Sequence, residues 1–139
     1  MPAPNARNAY LANAVGGAPP EKLLTMLYDA LVNNVVLAQR ALEEKDNWTL
    51  NERLLNAQEI VLELQGTLKP EVWSGGPALL AIYGYVYRLL VRANVHKEAG
   101  ALLDARKLLE PLQAAWHAAA DQVLADKAAA CGAGVAASA

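Results

Sequence analysis

The side chains that could carry out chemistry are few in this chain. Two histidines (His96 and His117), two serines (Ser74 and Ser138), three threonines and one cysteine (Cys131) are the stock from which a nucleophile, a base or a metal site would have to be assembled. A carboxylate-bridged metal centre in a helical bundle needs a Glu followed three residues later by His, and no glutamate here has that partner. Neither the phosphate-cradling P-loop pattern nor the HExxH zinc pattern occurs. Cys131 lies in a stretch of small residues that offers no organised base to activate a thiol. His117 follows Trp116 without clustered ligands, so it reads as a structural or exposed residue rather than a metal ligand. Catalysis is therefore not expected, and neither is a metal or any other cofactor.

What the sequence offers instead is apolar surface in excess. Between Leu79 and Val91 two stripes recur at helical spacing: Leu79-Tyr83-Val86-Leu90, which suffices for a packing seam, and Leu80-Gly84-Tyr87-Val91 beside it, with Tyr85 between them. Only Arg88 and Arg92 interrupt the apolar circumference. Gly84 adds to the anomaly, because glycine inside a helix costs about 1 kcal/mol and close approach of another backbone would compensate. Leu55 and Leu62 are further apolar residues off the seam of their own segment. Tyrosine suits an interface, with an apolar ring and a polar tip. Two readings stand: a thick internal core, or a groove kept for a partner. Arg88, Arg92 and His96, spaced by four, read as a solvated face that complements the helix dipole.

Four segments must position these residues. Pro19-Pro20-Glu21 opens the first, which carries Leu24, Tyr28, Leu31, Val35, Ala38 and Leu42 at spacings of three and four. The second carries Leu50, Leu54, Ala57, Val61, Leu64 and Leu68, the third the stripes above, and the fourth Leu102, Ala105, Leu109, Leu112, Trp116, Ala119 and Val123. The charged turn 43–46, the breakers Lys69-Pro70 and Trp73-Ser74-Gly75-Gly76-Pro77, and residues 96–100 separate them. Pro111 should bend the fourth helix. Trp48 and Trp73, read as lying in connections, are expected to plug the ends of the bundle. The fold class is all-α, an antiparallel up-down-up-down four-helix bundle. Residues 1–18 form a flexible N-terminal arm, 19–127 the bundle, and 128–139 a disordered tail rich in alanine and glycine.

Charge and hydropathy narrow the partners. Acidic residues number 14 and basic residues 12, so no global positive field draws the chain to nucleic acid or anionic lipid. The 55% apolar fraction includes 29 alanines, which favour helix, and no apolar run approaches the roughly 20 residues of a spanning helix. A cytoplasmic protein without disulfides or membrane insertion is expected.

Several motifs together resemble a known family. Pro20-Glu21-Lys22-Leu23-Leu24 followed by Met26-Leu27-Tyr28-Asp29 is similar to the signature of the flagellar export chaperone FliS family. Leu54 to Val61, Ile82-Tyr83-Gly84-Tyr85-Val86, Leu90 to Asn94 and Leu108 to Trp116 resemble its later elements in the same order, and Ala9-Tyr10 with Val15 resembles its N-terminal segment. The likeness spans about residues 9 to 117. Gly17-Ala18-Pro19 lacks the family's hydroxyl N-cap, Ala30 and Gly84 replace a glycine and an acidic residue, and 96–99 replaces an Asn-Asp turn. These departures touch caps and surface rather than seams.

The resemblance implies a cytosolic chaperone that binds the disordered C-terminal segment of flagellin, prevents its premature polymerisation and hands it to a component of the flagellar type III export gate without nucleotide. It also implies that the arm can stand in for cargo, with Tyr10 and Leu11 as anchors. The partner-binding residues expected are Tyr10, Leu11, Leu55, Leu62, Leu80, Tyr83, Gly84, Tyr85, Tyr87 and Val91. The alternative is a structural bundle whose extra stripe makes a homodimer in the free state, without any cargo.

Overall fold

The computed structural model describes the backbone of residues 20–68 and 74–138 and the side chains of residues 22–68 and 74–131. The arm expected at 1–18, with Tyr10 and Leu11, lies outside the described residues, as does Trp73. Four helices follow one another: α1 (Pro20–Glu43), α2 (Asn47–Thr67), α3 (Gly76–His96) and α4 (Ala99–Ser138).

Local chemistry sets their ends. Asp46 caps α2, with one carboxylate oxygen accepting from the Thr49 amide at 3.1 Å and the other from the Thr49 hydroxyl at 2.6 Å. These bonds hold its carboxyl below the usual range. Asp46→Ala is expected to lower the midpoint of a denaturant melt; an unchanged midpoint would mean that the cap is idle. Lys45 and Lys97 each take the left-handed conformation just past a helix end, with φ of 58° and 56°. α3 opens on Gly76-Pro77, where proline forfeits an amide hydrogen that has no partner in the first turn.

The helices form a closed ring in which α1 packs on α2 and α4, and α3 packs on the same two. Cross-links show α1 and α4 to be antiparallel: Arg106 donates to Gln39, and His117 bonds Asp29. The seams read from the sequence form the core. Tyr28, Leu31, Val35 and Ala38, with Leu50, Leu54, Ala57, Val61 and Leu64, are sealed against Leu79, Tyr83, Val86, Leu90 and Ala93 and against Leu102, Ala105 and Leu109. Farther along α4, Leu112 and Trp116 are only partly covered, and Ala119 is exposed.

The fourth helix is the longest. α4 runs through Pro111 and on to Ser138. Alanines at 128, 129, 130, 133, 136 and 137 are the local reason, since alanine holds a helix without tertiary support better than any other residue.

Candidate partner-binding face

The site is built on α2 and α3. Asn94 of α3 donates through Nδ2 to Oδ1 of Asn51 of α2 at 2.8 Å, which identifies the flanks that meet. Counting along each helix from that pair at 3.6 residues per turn, Leu55 and Leu62 follow Asn51 on the α3-facing shoulder of α2. Leu80, Gly84, Tyr87 and Val91 lie on the α2-facing shoulder of α3. The expected second stripe thus shares one face with the two off-seam leucines. Tyr87 is half-buried and packs on the core, Val91 is half-buried, and Leu55, Leu62 and Leu80 are exposed.

Two residues that sequence reasoning missed extend this strip. Trp48 is 79% exposed in the first turn of α2, seven residues before Leu55, so it does not plug a bundle end. The Asp46 cap starts the helix early enough to turn Trp48 outward onto the Leu55-Leu62 line. The signal was present as the heptad spacing 48-55-62. Val95, exposed on α3, continues the shoulder beyond Val91. Five of the eight large apolar side chains exposed among the described residues, Trp48, Leu55, Leu62, Leu80 and Val95, therefore lie on this one face.

The remaining expected site residues separate. Tyr83 belongs to the core, with 2% exposure, and its hydroxyl is hydrogen-bonded to that of Tyr28. It cannot border an open groove without the bundle opening. Tyr85 turns the other way, toward α4, where with Asp104, Lys107 and Leu108 it lines a cavity of about 340 Å³. The Arg88 guanidinium lies 5.8 Å from the Tyr85 ring centroid, a cation–π contact. A second cavity of about 250 Å³ on the α3/α4 side is lined by Leu79, Leu112, Ala115, Trp116 and Ala119.

Gly84 also differs from expectation. No backbone among the described residues approaches it, and a methyl added there would meet only Arg88 Nη1, at 3.7 Å. Its smallness is not used by a neighbouring helix among the described residues. Gly84→Ala is expected to raise stability by about 0.5–1 kcal/mol in a denaturant melt, because it improves helix propensity without a clash. A destabilised variant would show that the space is not open.

The polar chemistry is structural in form. Asp29 Oδ1 accepts from Gln113 Nε2 at 2.8 Å and pairs with His117 Nε2 at 2.7 Å, tying α1 to α4. Arg92 pairs with Glu98 at 2.9 Å across the α3–α4 turn. Among the described residues no group of three or more His, Cys, Asp or Glu could hold a metal ion. No helix there is long and apolar enough to cross a membrane.

Residues 3–123 match the family model described as flagellar protein FliS. The chain belongs to the FliS family. It is 35% identical over 115 residues to the flagellar secretion chaperone FliS of Bacillus subtilis (strain 168), covering 83% of this chain and 86% of the relative. The Salmonella typhimurium protein of the same name is 32% identical over 108 residues, covering 75% and 78%. The Escherichia coli K12 protein, also so named, is 26% identical over 109 residues. By family this is a flagellar export chaperone, and the family is one of chaperones rather than enzymes.

Proposed function

We propose that this chain holds the C-terminal segment of flagellin in the bacterial cytosol as an amphipathic helix in the α2/α3 groove, blocks its premature polymerisation, and presents it to a component of the export gate. The observation that carries this reading is the gathering of Trp48, Leu55, Leu62, Leu80 and Val95 on one face. Apolar surface concentrated in this way marks a docking site, whereas scattered exposed leucines need no explanation. A segment that orders on binding exchanges chain entropy for buried area, the helix-in-groove mode. Nothing in such a cycle needs nucleotide; release comes from competition at the gate. The arm, through Tyr10 and Leu11, competes for the same surface, which lowers apparent affinity in proportion to its own occupancy.

Calorimetric titration with the C-terminal segment of the cognate flagellin tests this directly. One-to-one binding at micromolar concentration or tighter is expected, with a negative heat-capacity change from apolar burial. No heat at tens of micromolar would overturn the reading. The second reading, a homodimer that uses the same face and takes no cargo, predicts a dimer in sedimentation that the flagellin segment leaves intact.

A further inference from the structure

The two edges of the α2/α3 face carry opposite charge. Beyond Leu55 and Leu62, the outer edge of α2 is formed by Glu52, Glu59 and Glu63, spaced by seven and four so that they share one line along the helix. Beyond Tyr87 and Val91, the outer edge of α3 is formed by Arg88 and Arg92, four residues apart. The Asn51–Asn94 pair fixes the register of these neighbouring helices, so Glu52 is roughly level with Arg92. The arginines are held in place, Arg88 against the Tyr85 ring and Arg92 by Glu98. On the acidic side, one carboxylate oxygen of Glu59 is shielded from solvent and has no hydrogen-bond partner. The apolar strip runs between a negative and a positive rim.

We propose that these rims select one rotational setting of the guest: an amphipathic helix whose Lys/Arg edge lies over the α2 glutamates and whose Asp/Glu edge lies over the α3 arginines. The proposal rests on the reading that this face takes a helix of flagellin, and it specifies the chemistry of that helix. From Trp48 to Leu62 the strip runs fourteen residues along α2, about 21 Å, so the matching guest helix has about four turns. Exposed pairs of this kind add little affinity singly, but a guest turned the wrong way sets like charges against each other on both edges at once. The apolar strip sets how tightly the guest is held, and the rims set which way round.

Titration with the C-terminal segment of the cognate flagellin, at low and high salt, separates the possibilities. The acidic rim is reversed by Glu52→Lys with Glu59→Lys, the basic rim by Arg88→Glu with Arg92→Glu, and the quadruple variant exchanges the rims at unchanged net charge. Each reversal is expected to weaken binding roughly fivefold to tenfold at low salt, the quadruple variant at least as much, and all to approach the unmodified chain when salt screens the charges. Glu52→Gln with Glu59→Gln, which perturbs the fold less, should show a smaller loss in the same direction; circular dichroism checks that each chain stays helical. A quadruple variant that binds like the unmodified chain would overturn the proposal, because net charge and not rim geometry would then be what matters. Rim variants without effect, beside a Leu55→Gln/Leu62→Gln chain that loses binding, would overturn it while leaving the groove reading standing. An unmodified chain that fails to bind would sink the underlying reading. A free dimer dissolved by the double leucine change would assign the face to a second copy, and the proposal would also fall.

Discussion

Replacing Leu55 and Leu62 together by glutamine is expected to weaken binding of the flagellin C-terminal segment by at least about thirtyfold while moving stability by less than about 1 kcal/mol. The asymmetry follows from where the two leucines lie. Both are about half exposed in the free chain, so their removal creates no cavity, and glutamine is nearly as good a helix former as leucine. In a complex each would be covered. Full burial of a leucine is worth about 1.5–3 kcal/mol, of which glutamine's own methylene stem recovers part. A residual loss of about 2 kcal/mol for the pair corresponds to the thirtyfold. Titration gives the affinity, and a denaturant melt of the free chain gives the stability. A chain that binds normally would show that the guest lies elsewhere, for instance along the α3/α4 cavities lined by Tyr85, Leu108, Leu112 and Trp116. A chain that loses binding and stability in equal measure would show that the leucines are part of the fold.

The bundle was legible because each helix signals its buried side by repetition: one seam per segment, broken by glycine, proline or a charged turn. The partner face was legible only in part. Leu80, Gly84, Tyr87 and Val91 could be grouped from period alone, but period does not say which neighbour a stripe faces. Tyr85, one residue from Gly84, sits about 100° around the helix and meets α4 instead of α2. Tyr83 satisfied two patterns at once, and the diagonal contact with Tyr28 decides for the core. Trp48 was obscured by the helix start. A tryptophan two residues after Asp46 reads as loop until Asp46 is recognised as the cap, after which Trp48, Leu55 and Leu62 fall on one line. The alanine-rich C-terminus is a case where composition alone favours helix.

Unfolding by alkali is expected to be steep above pH about 10, and the Tyr28–Tyr83 pair is expected to be its main cause. The two phenols face each other across the bundle diagonal, with hydroxyls 2.5 Å apart, and the Trp116 ring is 6.5 Å from that of Tyr28. Burial pushes both phenols upward. For Tyr83 the bond to Tyr28 pushes further, while for Tyr28 its side-chain hydrogen bonds oppose the shift in part. Above the ordinary phenol value of 10.0 the unfolded chain loses these protons and the folded chain keeps them. The folded state then binds more protons than the unfolded one, so stability is fully present below that pH and falls as pH rises through it. The limit is about 1.4 kcal/mol per pH unit for each tyrosine, or about 2.8 for the pair. Guanidinium melts between pH 8 and pH 11 on the unmodified chain and on Tyr28→Phe/Tyr83→Phe isolate this contribution, because every other titrating group is common to both. The double variant should lose clearly less stability over the alkaline range. At neutral pH either single change should cost about 1–3 kcal/mol, since it strands the remaining hydroxyl in the core, whereas the double change removes both polar groups and should cost less than the sum of the singles. Parallel alkaline losses in the two chains would show that the pair releases its protons as readily folded as unfolded, and that the diagonal bond does not hold them.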